Sequence, residues 1–226
     1  MHYFKILFFL FINLFSVIAL CQTDKGNMII SSDFNISSKS NDNEFVTFTK
    51  NDILSEKNFT LSPSFGYFVA NNFAIGVEFS YFANQKKQLY SNYDGSIAGG
   101  GITFEGLETQ KVYTIGIFSK NYFPITEKFS FLVKSSFGFG SGKIEEEYTT
   151  LPSIPDTNLS IFGIAINPGV IYFVTPKFSI QTMFANLHYI KTEYENKNYV
   201  TNINENKIGL SLDSSTLFVG INYHFK

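Results

Sequence analysis

The sequence contains no tryptophan and no arginine, only one cysteine, and few charged residues for a chain of 226. Charged residues make up 16%, below the quarter that is usual in soluble domains, while aromatic residues reach 18%. The 17 basic residues and 19 acidic residues leave a net charge of −2, which argues against nucleic-acid binding. The single cysteine, Cys21, excludes an internal disulfide, and if it is removed during export no thiol is left for zinc–thiolate chemistry. What remains is a chain rich in large apolar side chains.

The first 21 residues have the composition of a signal peptide. Lys5 precedes an almost wholly apolar run, Ile6–Leu20, and small or neutral residues surround Cys21. This pattern predicts a signal peptide at 1–21 and an exported domain at 22–226. One alternative is a membrane-spanning helix, for which the run is short. Another is a lipoprotein with Cys21 as its lipidated residue, for which Leu20 is bulky.

Beyond residue 22 the hydrophobic pattern has a period of two, which predicts β-strands. Eight segments alternate in this way, and the seventh, around Phe178–Phe184, has the weakest pattern. Each has an apolar face, such as Phe59, Leu61, Phe65 and Tyr67 in the second segment.

The opposite faces of the same segments carry small or polar residues. All four charged residues that lie within these faces are on the small-residue side: Asp33, Glu78, Lys120 and Lys134. The apolar rows end in aromatic residues, as do the walls of barrels at the two membrane interfaces. The pattern therefore predicts apolar side chains facing lipid and polar side chains facing a lumen.

Short and long connections alternate along the chain. The short ones are "ANN", "PITEK" and "TPK", and the long ones are expected near 38–58, 83–110, 141–159 and 191–206. The phrase "LSPSFGYFVANNFAI" at Leu61–Ile75 returns as "INPGVIYFVTPKFSI" at Ile166–Ile180. Such alternation is typical of a closed up-and-down barrel with both termini on the side of the short turns. The fold expected is an all-β, eight-stranded antiparallel transmembrane β-barrel.

Two prolines fall inside predicted strands, at Pro63 and Pro168. A proline cannot donate a ladder hydrogen bond, and a closed barrel has no free edge on which to place it. A β-bulge or a missing ladder bond is therefore expected at each position.

Four stretches, "KGNMIISSDFNISSKSND", "LSPSFGYFVANNFAIG", "IGIFSKNYFPITEKFSF" and "LFVGINYHFK", resemble small porin-like outer-membrane β-barrel proteins of Gram-negative bacteria. The resemblance covers nearly the whole exported domain. It implies location in the outer membrane and insertion by the barrel-assembly machinery, which reads a terminal aromatic residue. Tyr223 and Phe225 would supply that signal, although Lys226 follows them at the end of the chain.

Eight strands enclose a lumen that side chains can fill, so a wide pore is not expected. Glu78, Lys120 and Lys134 lie on neighbouring strands and should form an inward charge cluster. A structural role is favoured, because an unpaired charge in such a place is costly. The alternative is a porin-like conduit that the charges gate.

A membrane-embedded lipid-modifying enzyme is a second alternative, and it depends on a rim histidine. His2 belongs to the signal and His224 lies by the inner rim, which leaves His188. Its candidate partners are Ser141, Ser211 and Ser214, and no spacing selects one of them. The prediction is therefore no enzyme, no catalytic residue and no cofactor.

Two other motifs are less informative. "GFGSGK" at Gly138–Lys143 lacks the residue and the helix that a phosphate loop needs. Glu145, Glu146, Glu147 and Asp156 would make the third loop acidic and able to hold divalent cations at the lipopolysaccharide surface, but a solvated charge run is favoured.

The function expected is that of an integral outer-membrane barrel acting through its exposed loops or in membrane integrity. Its expected partners are membrane lipid, lipopolysaccharide and, during insertion, the assembly machinery, with the protein itself a monomer. A soluble ligand-binding barrel is the remaining alternative.

Overall fold

The computed structural model describes residues 22–40, 52–92, 102–149, 156–196, 203–212 and 217–226. The described ranges contain ten β-strands. They are β1 (Met28–Ser40), β2 (Asp52–Ala70), β3 (Phe73–Asn92), β4 (Ile102–Pro124), β5 (Phe129–Tyr148), β6 (Thr157–Phe173), β7 (Phe178–Met183), β8 (Asn186–Asn196), β9 (Ile203–Ser211) and β10 (Phe218–Phe225). No helix in these ranges is long and apolar enough to cross a membrane.

Antiparallel pairing closes eight of these strands into a ring. The order is β1, β2, β3, β4, β5, β6, β7, β10 and back to β1. The closing contact pairs Met28 with Phe225 and Phe34 with Val219. At the end of the barrel opposite the short turns, which we call the loop side, β8 and β9 prolong the wall next to β6. The eight-stranded antiparallel barrel is thus confirmed, with the seventh and eighth wall strands each divided in two.

The division of the seventh wall strand lies beside Pro168. Gly169 pairs with Met183, but Ile166 pairs with Leu187, so the β7–β8 side has one residue more than β6. This is the bulge expected at Pro168. At Pro63 the register of β2 on β3 continues unshifted, but the ladder pairs between Leu61 and Ser64 are missing. Both predictions are confirmed, by a β-bulge beside Pro168 and by missing ladder pairs at Pro63.

The three short turns explain the repeated phrase. In "PITEK" the Thr126 hydroxyl accepts a hydrogen bond from the Phe129 backbone N–H at 3.1 Å, and in "TPK" Thr175 accepts one from Phe178 at 3.0 Å. The turn "ANN" instead uses Asn72 in a left-handed conformation, with φ of 62°. The three phrases therefore all reverse the chain at one rim of the barrel, which we call the turn side, although "ANN" does so by a different conformation from "PITEK" and "TPK".

The predicted long connections are shorter than expected. Strands continue through most of the described residues in 38–58, 83–110, 141–159 and 191–206, and β4 alone has 23 residues. The sequence pattern failed there because both faces of the wall are polar beyond the apolar band. Cross-strand ion pairs such as Lys87–Glu105 and Lys111–Glu145, at 2.6 and 3.1 Å, join strands that no hydrophobic alternation reveals.

The large apolar side chains face outward, as expected. Val77 is 54% exposed and Ile117 is 60% exposed, and Phe65 and Ile221 are also on the outside. On β4 the outward row runs from Tyr113 to Phe123, with Ser119 and Asn121 as its polar members, and spans about 25 Å along the barrel axis at ~3.4 Å per residue and a tilt of ~40°. That height matches the lipid-facing band of a small transmembrane barrel.

The segment before β1 folds across the turn side of the barrel. The Gly26 N–H donates to the Phe68 carbonyl and the Phe68 N–H donates to the Asn27 carbonyl, at 2.9 and 2.8 Å. The Asn72 N–H donates to the Thr23 carbonyl at 2.7 Å, and Gln22 is buried. The start of the described chain is therefore fixed to the first short turn.

Two glycines of the inner wall are expected to respond differently to alanine. At Gly116 a Cβ would overlap the Phe137 carbonyl oxygen and lie 3.0 Å from the Gly138 Cα, whereas at Gly163 the nearest atom is 3.8 Å away. Gly116→Ala should lower the free energy of unfolding by about 1–3 kcal/mol. Gly163→Ala should change it by no more than about 0.5 kcal/mol. Circular dichroism during denaturant unfolding in micelles measures both, and equal effects would contradict the assigned wall geometry.

Candidate functional site in the barrel lumen

A layer of charged side chains crosses the middle of the lumen. Asp33 on β1, Glu78 on β3, Lys120 on β4 and Lys134 on β5 all point inward. Lys120 is 0% exposed and Lys134 is 6% exposed, so these ammonium groups are removed from bulk water. Such groups must be matched by acceptors inside the protein.

Lys134 binds both carboxylates of the layer. Its Nζ lies 2.6 Å from Glu78 Oε2 and 3.0 Å from Asp33 Oδ2. The Gln181 side-chain amide donates to the other oxygen of Asp33. Lys134 on β5 thus links the carboxylates of β1 and β3, and Gln181 holds one of them in place.

Lys120 has a different environment, made of neutral acceptors. Its Nζ donates to Ser31 Oγ at 3.0 Å, to Gln181 Oε1 at 3.3 Å and to Asn222 Oδ1 at 3.4 Å. These three acceptors match the three protons of an ammonium group. Because Gln181 also donates to Asp33, the two lysines belong to one hydrogen-bonded network.

The two lysines are direct cross-strand partners, an arrangement that is normally unfavourable. Each Nζ also lies over the Phe118 ring, at 5.5 Å for Lys120 and 5.6 Å for Lys134. The ring face attracts cations, and the two carboxylates balance the two charges. The layer is therefore electrically neutral as a whole.

Gly220 gives this network its space on β10. Gly220 pairs with Asp33 on one side and with Gln181 on the other. A Cβ there would overlap Asp33 Oδ1 and lie 2.8 Å from Gln181 Cγ. Only glycine allows both large polar side chains to meet at this point of the wall.

The sequence grouped Glu78, Lys120 and Lys134 because they lie on neighbouring strands, and the structure brings all three into the layer. Glu78 contacts Lys134 but no described bond joins it to Lys120. Sequence reasoning missed the partners from across the ring, Asp33 and Gln181. Their inward positions were readable from the period of two, but their proximity depends on barrel closure.

Below the charged layer, toward the turn side, apolar side chains fill the lumen. The buried cluster consists of Ile29, Phe68, Ala74, Tyr122, Leu132, Ile171 and Phe173, with Met183 at its upper edge, where it also lines the cavity described next. The His224 ring packs beside it, 5.4 Å from the Phe173 ring, and His224 Nε2 lies 2.9 Å from Ser179 Oγ. In the described part of the chain, charged layer and apolar cluster together close the lumen on this side.

Above the charged layer, toward the loop side, lies a cavity of about 290 Å³. Asp33, Glu78 and Lys134 form its floor. Hydroxyl-bearing residues of β2–β5 line one wall, and Met183, Phe218 and residues of β8 line the other. The expectation of a side-chain-filled lumen therefore applies to the lower part of the barrel and not to this upper part.

His188, the candidate for catalysis, lies in this cavity wall and not at the rim. Its Nδ1 is 2.9 Å from Asn186 Oδ1, and no described bond joins it to a serine or a carboxylate. Ser141 lies on β5, Ser211 on β9 pairs with Asn186 of β8, and Ser214 falls outside the described residues. His2 also falls outside them. The geometry gives the enzymatic alternative no support.

The acidic triplet belongs to a strand and not to a loop, which corrects the sequence expectation. Glu145, Glu146 and Glu147 end β5, and Glu145 pairs with Lys111. Among the described residues, no group of three or more metal-ligating side chains could hold a metal ion.

A second acidic feature lies on the inner face above the apolar band. Glu56, Lys86, Glu108 and Glu146 follow one another across four strands. Burial raises the pKa of Glu108, and repulsion from Glu146 and Glu56 raises it further against the opposing effect of Lys86.

Tyr223 and Phe225, the expected assembly signal, lie at the end of β10. Their rings stack with centroids 5.9 Å apart, and Tyr223 is exposed on the outer face. They lie at the turn side, where β10 meets β1.

No protein-family model matches the chain, and no curated protein matches it. Among solved structures, the chain resembles Neisserial surface protein A at 15% identity, with 89% of this chain and 98% of that one covered and a TM-score of 0.45. It also resembles the outer membrane protein OprG from Pseudomonas aeruginosa at 14% identity, covering 89% and 97%, with a TM-score of 0.44. It also resembles the Ail protein of Yersinia pestis at 17% identity, with 89% of this chain and 99% of that one covered and a TM-score of 0.39. The barrel assignment depends on the chain's own strand pairing.

Replacing Lys134 should destabilise the barrel far more than replacing a lysine of the outer wall. Lys134→Met leaves the buried Asp33 and the partly buried Glu78 without their cation, a loss of about 3–5 kcal/mol in the free energy of unfolding. The matched change Lys111→Met removes an exposed pair with Glu145 and should cost about 1 kcal/mol or less. Urea unfolding followed by circular dichroism compares the two. If Lys134→Met were as mild as Lys111→Met, the charged layer would not be a stabilising element.

Proposed function

We propose that the protein is an integral β-barrel of the outer membrane that acts through its loop side or in membrane integrity. The observation that carries this proposal is the reversal of the soluble pattern. Val77, Phe79, Ile115 and Ile117 face outward in a band, while Lys120 is fully buried inside. A soluble barrel places its large apolar side chains inward, so the ligand-binding soluble alternative does not fit.

The ends of the band support the same location. Outward aromatic residues lie at both edges, Tyr113 on the loop side and Phe123, Tyr172 and Tyr223 on the turn side. Aromatic girdles of this kind lie at the two membrane interfaces. We include in the proposal that the barrel-assembly machinery inserts the chain and that it reads Tyr223 and Phe225.

The loop side projects well beyond the band. On β4 the residues from Ile102 to Val112 lie past Tyr113, and most of them pair in register with both β3 and β5. The sugars of lipopolysaccharide would surround this raised wall, and external partners would meet it before they meet the membrane. A loop-side role is therefore favoured over one at the turn side, where the connections are short.

A lysine placed in the band tests the membrane location. Ile117→Lys, near the middle of the band, should lower the free energy of unfolding in phospholipid vesicles by about 2–4 kcal/mol. Thr109→Lys, on the outer face of the same strand beyond the band and opposite Glu145, should change it by about 0.5 kcal/mol or less. Because the chain has no tryptophan, the unfolded fraction is read from circular dichroism and from heat-modifiable migration in cold detergent. Equal costs at the two sites would exclude the lipid-facing band.

The porin-like alternative is tested by conductance. The apolar cluster around Phe68, Leu132 and Ile171 lies below the charged layer, so a planar bilayer containing the protein should carry no steady current. Glu78→Ala should also stay silent, because it alters the layer and leaves the cluster in place. Steady current through the unmodified protein would favour the conduit, and current that appears only in Glu78→Ala would make the charged layer the gate.

A further inference from the structure

The cavity above the charged layer is a well that is closed at its base. Its floor is the Lys134 ion pair with Asp33 and Glu78, and the apolar cluster lies beneath. The other lining residues lie on the loop side of that floor, for example Thr60, His188 and Ile190. Within the described part of the chain, the route into this space is therefore from the loop side.

The glycine positions of the wall make the well wide. Gly116, Gly138 and Gly163 lie side by side on β4, β5 and β6, as direct cross-strand partners. Without side chains at these three positions, a volume of about 290 Å³ stays open at the lower end of the usual range for small-ligand pockets.

The two sides of the well have different chemistry. Thr60, Ser62, Ser80, Thr114 and Ser136 present hydroxyl groups from β2–β5. Met183, Ile190 and Phe218 present apolar surface from the strands across the lumen, and Asn186 and His188 of β8 interrupt that surface. A ligand that fits must carry hydrogen-bonding groups on one side and C–H surface on the other.

Much of the hydrogen-bonding capacity of the well is not used by the residues that the structure describes. Ser62 and Ser80 bond to each other at 2.8 Å. By contrast, the side chains of Thr60, Thr114 and Ser136 make no hydrogen bond to another described side chain. Each hydroxyl can donate one bond and accept others, so the wall offers both functions to a solute.

The charge of the floor restricts the ligand further. Two lysines and two carboxylates make the layer neutral, and Lys134 is already bound to both carboxylates. An ionic ligand would have to shed its water without gaining a free counter-charge. A neutral ligand rich in hydroxyl groups has no such cost.

We propose that the cavity is a binding site for a small neutral polyhydroxylated molecule of about monosaccharide size, which enters from the loop side. The inference depends on the proposed function only for the direction of entry. The ring hydroxyls would bond to the serines and threonines, and the C–H face would lie against Met183 and Phe218.

Cysteine labelling tests whether the well is open. In a Cys21→Ser background, Ser136→Cys places the single thiol in the cavity wall, and Ser179→Cys places it in the filled part of the lumen, where Ser179 is fully buried. A small methanethiosulfonate reagent should modify the first barrel and not the second. Thr114→Cys is a second cavity position in case Ser136→Cys fails to fold, and heat-modifiable migration identifies folded barrels.

Protection of that thiol tests the ligand class. The probe is D-glucose over the millimolar range, and the labelling rate should fall about fivefold at ~4 times the dissociation constant. Dextran, which is too large to enter, controls for solution effects, and glycine represents a zwitterion of similar solubility. Neither should slow the reaction.

A cavity-filling variant provides an independent measurement. Gly163→Leu should abolish the heat of glucose binding in calorimetry, because position 163 has room for a side chain that then occupies the well. The matched change Ala83→Leu, in the outer face of β3, should leave glucose binding intact.

Four results would overturn the proposal. A folded barrel with an unreactive Ser136→Cys thiol would show that the well is closed, and equal labelling of Ser179→Cys would show that no floor exists. Protection by glycine and not by glucose would make the ligand class wrong, and no protection by either would remove the site. Failure of the proposed function would give different results. The unmodified protein would show no heat-modifiable migration, or Ile117→Lys would not lower its free energy of unfolding in vesicles.

Discussion

The structure depends on one constraint, that every backbone group of a lipid-facing wall must find a partner inside the protein. The pairing of β1 with β10 satisfies it by leaving no free edge within the band. Once the ring is closed, the side-chain period of two sends one residue outward and the next into the lumen. Val77 and Glu78 are consecutive residues with opposite surroundings for this reason alone.

Closure at eight strands also determines the interior. The ring is narrow enough for Asp33 on β1 to reach Lys134 on β5, although the two are far apart in sequence. A wider ring would leave each charge to solvent, and a narrower one could not hold four of them. Lower down the same width is filled by Phe68, Leu132 and Ile171. The interior is thus layered, with apolar packing, ion pairing and open space following one another.

The sequence was sufficient for the features that follow from local periodicity. The outward rows that include Phe65 and Ile221, the three short turns and the irregularities at Pro63 and Pro168 all come from neighbouring residues. It failed where the outer wall turns polar on both faces, so that the strand residues Glu145–Glu147 looked like a loop. It also failed where partners come from across the ring, as with Asp33 and Gln181. The alternation of apolar and polar residues in the sequence predicts neither where a polar strand ends nor which side chains meet across a lumen.

The pairing of the first strand with the last has a consequence for the order of folding. The hairpins around Asn72, Thr126 and Thr175 join segments that are adjacent in the chain, so each can form with little loss of chain entropy. Met28 and Phe225 meet only when nearly the whole domain has been gathered into one place. Contacts of such long sequence separation are the slow ones in folding. The seam between β1 and β10 is therefore the natural last step in making this barrel, and the segment from Thr23 to Asn27 that is tied to the first turn keeps one side of that seam in position.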